Sequence, residues 1–385
     1  MASVTQADSP AQGRVTVTRV ASRRERKAFV DLPFTLYAQT PQWIPPLRRD
    51  EHRRLSPRHN PFFDHATIDL WLAERDGRAV GRIAAIDDRL HDETHGERIT
   101  WFGFFESADA TTARSLLAVV EAHGAARGST AVRGPANPSL NESAGLLIDG
   151  FEREPYILMP YNTPAYPAYI EAAGYHKAKD LLAWLIDLTV PVGARIERAG
   201  ARLASRRRVV VRTVDMTRTG FDRDLGHLKT IYRAAWSDNW GFVPPTDREI
   251  DQLAHDLRPI IDPELVLFAE VDGAIAGCTV SLPDLNQVLK HMHGALFPFG
   301  IWHFLRRRAL INRNRVLLLG VLPAYRRLGL YPLLVAELHR RAVARGYVEA
   351  ELSWTLEDNE LINVGIEAAG GRRDKTFRVY EKSLG

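Results

Sequence analysis

Residues Leu317–Leu334 read LLLGVLPAYRRLGLYPLL. An apolar run of strand length gives way to a Pro-containing turn, an Arg pair and a glycine, and then to a segment with helical spacing. Leu334, Leu338 and Ala342 fall on one face of that segment, Pro332 sits near its start and Gly346 ends it. A chain that turns sharply from strand to helix leaves the first helical N–H groups without partners. Those groups and the helix dipole together form a cradle for phosphate. Gly329 lets the backbone come close to such a ligand, and Arg326 and Arg327 add positive charge beside it.

A counterpart lies in the first half of the chain. WFGFFESADATTARSLL, Trp101–Leu117, keeps the loop length but places Glu106 and Asp109 where the arginines and glycine would be. Carboxylates at a helix start cap it and repel a pyrophosphate, so one phosphate site is expected, in the second half. The correspondence extends well beyond this loop. IEAAG occurs at Ile170–Gly174 and again at Ile366–Gly370, an offset of 366 − 170 = 196. LAERDGRAVGR (Leu72–Arg82) matches FAEVDGAIAGC (Phe268–Cys278) at the same offset, and each reads as a hairpin turning at Asp-Gly. Gly103 and Gly320 differ by 217, and Gly128 and Gly346 by 218. The second half therefore carries about 21 extra residues before Gly320 (217 − 196), and the first about 22 after Gly128 (218 − 196). These offsets describe a tandem duplication with one insertion in each copy. The expected organisation is a short tail at 1–13, a first copy at 14–189, a basic connecting helix at 190–208 and a second copy at 209–385. The expected fold class is α/β (α+β), each copy a mixed, mostly antiparallel sheet flanked by helices.

Composition narrows the chemistry. With 385 residues, 45% hydrophobic and 25% charged, the chain suits two ordinary folded domains. One cysteine, Cys278, excludes an internal disulfide and a multi-cysteine zinc site, and fits a cytoplasmic location. The N-terminus lacks the apolar core of a signal peptide, and the densest apolar run, LLAWLI before Asp187, is strand-sized, so no membrane span is expected. A net charge of +4 suits a small polyanionic ligand and does not call for nucleic acid.

The Arg326-Arg327-Leu328-Gly329-Leu330-Tyr331 string after VLPAY resembles the coenzyme A loop of the GCN5-related N-acetyltransferase (GNAT) superfamily, which reads Gln/Arg-x-x-Gly-x-Gly/Ala at this junction. Tyr331 replaces the final small residue. The element order of both halves is similar to that superfamily, so the chain resembles a tandem GNAT protein. The resemblance implies an acyl-coenzyme A co-substrate, acetyl-coenzyme A first or a longer acyl-coenzyme A, with transfer to a small-molecule or peptide amine and no metal. It places the ligand against Val321, Leu322, Arg326, Arg327, Leu328, Gly329, Leu330, Tyr331 and Asn359, with backbone amides near Val321 and Leu322 polarising the thioester carbonyl. The family's usual acid is a tyrosine seven residues after an Asn such as Asn359. That position is Ile366, which leaves Tyr331, Tyr325 and Tyr380 as candidates.

Glu351 and Ser353 alternate onto one face of a strand, with Glu351 the first choice of base and Asp238 the second. Trp236, Trp240 and Ser353 are expected near the acceptor. The second-half insertion, with Phe297, Phe299, Trp302 and Phe304 before Arg306–Arg308, reads as a lid or as a helix packed between the halves, and less readily as a membrane-surface helix. The Pro- and Gly-rich insertion of the first half, 134–164, is expected to pack at the domain interface or to shape a cleft. His291 and His293 lack partners at metal-ligand spacing. Two alternatives share this architecture or its ligand: a Fem-type aminoacyl transferase and a non-catalytic acyl-coenzyme A sensor.

Overall fold

The computed structural model describes residues 13–205, 208–237 and 239–385, so Asp238, Arg206, Arg207 and most of the N-terminal tail lie outside the described residues. The first half runs β1 (Thr16–Arg19), α1 (Arg23–Leu36), α2 (Arg48–Arg54), β2 (Ala66–Arg75), β3 (Arg78–Asp88), α3 (Arg89–His95), β4 (Ile99–Ser107), α4 (Ala110–Arg127), β5 (Ala131–Gly134), β6 (Leu146–Asp149), α5 (Tyr166–Ala172) and β7 (His176–Asp187). Helix α6 (Ala194–Ala204) connects it to β8 (Val209–Thr213), α7 (Arg218–Trp236), α8 (Asp247–Leu257), β9 (Val266–Val271) and β10 (Ala274–Pro283). The second insertion holds α9 (Asn286–Leu289), α10 (Gly300–Leu305) and α11 (Arg307–Leu310). The chain then follows β11 (Arg313–Val321), α12 (Leu330–Ala344), β12 (Glu349–Leu356), α13 (Glu360–Ala368) and β13 (Arg372–Ser383).

Both Asp-Gly hairpins form as the sequence predicts, with Asp76 and Gly77 at φ 51° and 72° and Asp272 and Gly273 at 52° and 78°. The halves do not keep their last strands to themselves. β7 pairs with β12 of the second half, from Asp187↔Glu349 to Leu181↔Leu356, and β13 pairs with β5 of the first, from Gly134↔Tyr380 to Ala131↔Ser383. β7 and β13 also pair with each other, so a single 13-stranded sheet runs through the molecule in the order β1-β2-β3-β4-β5-β13-β7-β12-β11-β10-β9-β8, with β6 on β13. LLAWLI lies in the centre of that sheet, buried on both faces, which explains its continuous apolar character. His65 helps to join the halves. Its Nδ1 lies 2.7 Å from Asp88 and its Nε2 3.3 Å from Glu249 of α8.

The exchange of β13 removes one candidate from the catalytic set. Tyr380 is fully buried in the first-half core beside Phe102 and Leu117, and its hydroxyl donates to Glu171 at 2.9 Å. It packs with the first copy although it belongs to the second in sequence.

Helix α6 places α12. Ile196, Gly200 and Leu203 form its buried stripe, and a Cβ on Gly200 would lie 3.2 Å from the Pro332 carbonyl and 3.3 Å from the Ala336 methyl. The connecting helix therefore lies directly against the helix that follows the Gly329 loop.

Candidate active site

Strands β11 and β12 run parallel but stay paired only from Arg313↔Glu349 to Val316↔Leu352. Beyond that point Leu317–Val321 and Ser353–Leu356 diverge. The partner register of β11 against β10 skips Leu317, passing from Ser281↔Val316 to Val280↔Leu318, so a bulge marks the start of the divergence. Past the bulge, the Leu322 amide donates to the Ala276 carbonyl at 2.9 Å. Alternation along an antiparallel strand then turns the Gly320 amide toward β10 and the amides of Leu319 and Val321 toward the gap. The donor expected at Leu322 is thus already used, and Leu319 is a donor that the reading of the sequence missed. Alternation counted back from the loop was the signal that could have found it.

The loop after β11 forms a 3-10 turn, Pro323–Leu328, and Gly329 adopts φ 82° before α12 begins. No side chain caps α12, and its first turn contains no acidic residue. Leu330 is fully buried and anchors the turn, while Arg326, Arg327 and Leu328 are exposed. Neither arginine makes an ion pair among the described residues. The helix start is thus uncapped by any described side chain and has two unpaired cations beside it, the chemistry an anion would require. The first-half equivalent is closed. Asp109 caps α4 through the Thr112 amide at 2.8 Å and is paired with Arg75 at 2.7 Å. Glu106 is buried under the hydroxyls of Tyr37 and Tyr166, at 2.6 and 2.9 Å.

Two aromatic rings pack on glycines of β11 and α13. Trp236 lies on Gly320, where an added Cβ would come within 2.6 Å of the indole. Tyr331 lies on Gly365 of α13, where an added Cβ would be 3.6 Å from its hydroxyl, and burial raises the Tyr331 pKa to about 12. The hydroxyl thus borders α13 one residue before Ile366, whose own side chain is buried against Leu182 and Trp184. Asn359 caps α13 through the Ile362 amide at 3.4 Å. Trp240, in contrast, reaches the first-half core and lies 5.5 Å from Arg133 and 5.8 Å from Lys179, away from the gap. It joins the halves and does not line this site.

At the base of the gap is a buried polar cluster. Glu351 accepts from the Ser353 hydroxyl at 2.6 Å, and Ser353 accepts from Arg315 Nε at 2.8 Å. Arg315 also donates to the Ser353 carbonyl at 3.0 Å and to the Ile157 carbonyl at 2.8 Å. Among the described residues, Glu351 Oε2 has no hydrogen-bond partner. Burial raises the Glu351 pKa, against the opposing pull of Lys375 and Arg315, and burial lowers that of Arg315 to about 10. Arg315 and its contact with Ile157 were not foreseen in the sequence.

Ile157 belongs to the first-half insertion, which therefore forms part of the second-half site. Its amide donates to Asp284 at 2.9 Å, and Asn141 bonds the Val243 carbonyl at 2.9 Å and the Tyr232 hydroxyl at 3.2 Å. The second insertion leans the other way, with Gly294 accepting from the Arg48 amide at 3.1 Å. Phe297, Phe299 and Trp302 point into solvent, so these three rings do not cover the gap. The His291 ring stacks on His303, with centroids 5.4 Å apart.

Bacterial ceramide synthase of Caulobacter vibrioides is 39% identical to this chain over 379 residues, covering 96% of this chain and 98% of that protein. Protein YghO of Escherichia coli is 34% identical over 371 residues, covering 94% of each. The chain belongs to the family of bacterial ceramide synthase and YghO. A tandem GNAT protein from the clavulanic acid biosynthesis pathway superposes with a TM-score of 0.56 at 15% identity, covering 97% of this chain and 99% of its own. At that identity the likeness concerns the fold. No protein-family model matches the chain.

Proposed function

We propose that this protein transfers a fatty acyl group from a coenzyme A thioester to the primary amine of a long-chain amino alcohol, forming an amide of the ceramide type. Kinship with bacterial ceramide synthase together with the GNAT fold supports an N-acyltransferase. The observation that carries the finer reading is the near-complete overlap with bacterial ceramide synthase, combined with one open phosphate cradle beside the β11–β12 gap. A long acyl chain is preferred over acetyl because a ceramide synthase by its name makes an N-acylated sphingoid lipid.

In this reading the pyrophosphate rests on the N-terminus of α12 beside Arg326 and Arg327, and the Leu319 and Val321 amides face the thioester oxygen. The amine attacks the carbonyl carbon, so that a C–N bond forms and the C–S bond breaks. Ser353 accepts one ammonium proton before the attack as its own passes to Glu351, which later releases it to solvent, and the second proton, shed by the nitrogen of the tetrahedral intermediate, replaces the one that Tyr331 gives to the thiolate. Tyr331 stays protonated and donates to the departing thiolate, taking the place of the tyrosine that Ile366 replaces. The first half holds no second ligand in this reading, but supplies Ile157 to the wall.

Incubation with palmitoyl-coenzyme A and sphinganine is expected to yield the N-acyl product by mass spectrometry, at a rate well above that with acetyl-coenzyme A. Preferential acetylation of a water-soluble amine would overturn the lipid reading and leave the acyltransferase intact. Tyr331→Phe is expected to lower kcat about 10-fold or more with little change in KM. A rise in KM with unchanged kcat would mean that Tyr331 only positions the ligand.

A further inference from the structure

The second insertion exposes four large apolar side chains within nine residues. Phe297, Phe299, Trp302 and Leu305 are 69%, 77%, 66% and 61% exposed. The segment is nevertheless anchored. Val288 and Met292 are buried beneath it, the Asp284 amide donates to the Arg313 carbonyl at 2.8 Å, and Gln287 bonds Asn312 at 2.8 Å. Its apolar side chains are thus held out from a fixed base, at a direct cost in hydration.

Charge identifies what would cover them. From Leu285 to Ala336 the chain contains no Asp or Glu, and Arg306–Arg308 directly follow the aromatic tip, while Lys290 is paired with Glu154 of the first half at 3.4 Å. Arg306 and Arg308 are exposed and make no ion pair among the described residues. Arg307 bonds the Phe304 and Pro259 carbonyls and helps to hold the tip in place. Phe and Trp side chains beside unpaired arginines match the headgroup boundary of an anionic bilayer, where rings enter the acyl margin and guanidiniums meet phosphate. No helix of the described residues is long and apolar enough to cross a membrane, so the contact would be peripheral.

We infer that residues Phe297–Arg308 dock this protein onto the surface of a membrane rich in anionic phospholipid. This goes beyond the acyl-transfer reading, because it concerns exposed residues that take no part in that reading and can be scored without substrate. It also gives the insertion a role that the sequence reading placed last: the marginal affinity expected of one short helix is strengthened by three neighbouring apolar side chains outside or at the edges of α10 and by the adjacent cations.

The test is flotation with vesicles of phosphatidylcholine containing about a third phosphatidylglycerol, against phosphatidylcholine alone. The full chain should float with the anionic vesicles and much less with the neutral ones. Phe299→Ser with Trp302→Ser should reduce the bound fraction at least about 10-fold, and Arg306→Gln with Arg308→Gln should reduce it on anionic vesicles alone by a similar factor. Thermal shift by coenzyme A checks that each variant keeps its fold and its ligand site. Absence of vesicle binding by the unmodified chain, or unchanged binding by both variants, would overturn the inference. A dimer in light scattering that the Phe299→Ser/Trp302→Ser variant dissolves would overturn it too, assigning the patch to a second copy.

Discussion

Glu351→Gln is expected to lower kcat by about 10²–10⁴-fold while acyl-coenzyme A still binds. The carboxylate is fully buried, one oxygen receives the Ser353 hydroxyl and so lies ready to take its proton, and the other has no hydrogen-bond partner among the described residues. Burial raises its pKa, so it gains proton affinity as a base and is ionised only above a pH higher than usual for a glutamate. The acid limb of kcat/KM should therefore lie above the ordinary glutamate range, and it should disappear in the Gln variant. Glu351→Asp, which keeps the carboxylate, should retain more activity than Glu351→Gln. Equal turnover of the Gln variant and the unmodified enzyme, with an unchanged pH profile, would remove Glu351 from the mechanism.

Arg315→Met is expected to destabilise the protein by about 3–5 kcal/mol, read as a lower urea midpoint. Arg315 is 3% exposed and makes three hydrogen bonds, two to Ser353 and one to Ile157 of the first half. The Met variant keeps the volume but leaves Glu351 in a dry site with less opposing charge and leaves the Ile157 carbonyl without its donor. Adding Glu351→Gln to Arg315→Met should recover part of the loss, because the stranded carboxylate is then neutral. Additive effects of the two changes would show that Arg315 and Glu351 do not interact.

The features that could be read from the sequence were those written in local backbone chemistry. The hairpins at Asp76-Gly77 and Asp272-Gly273, the turn at Gly329 and the contrast with Asp109 each depend on a few adjacent residues, and each forms as expected. Features set by long-range pairing were not legible. Tyr380 looked like part of the second copy because it follows α13 in sequence, yet strand exchange carries it into the first-half core. Trp240 is expected near the acceptor from its place in the sequence, but its ring is claimed by Arg133 and Lys179 across the interface. Arg315 gave no signal because its partners, Ser353 and Ile157, are 38 and 158 residues away in the chain. Glu351 and Ser353 could be paired from strand alternation alone, and the structure brings them into contact.

Titration calorimetry with coenzyme A tests the central claim most directly, that one half carries the ligand and the other is closed. One site per chain is expected, lost or weakened at least about 100-fold when Arg326 and Arg327 are both changed to Glu, and little affected by Asp109→Ala. Two equivalent sites, or binding that survives the reversal at Arg326 and Arg327 and fails with the change at Asp109, would contradict it.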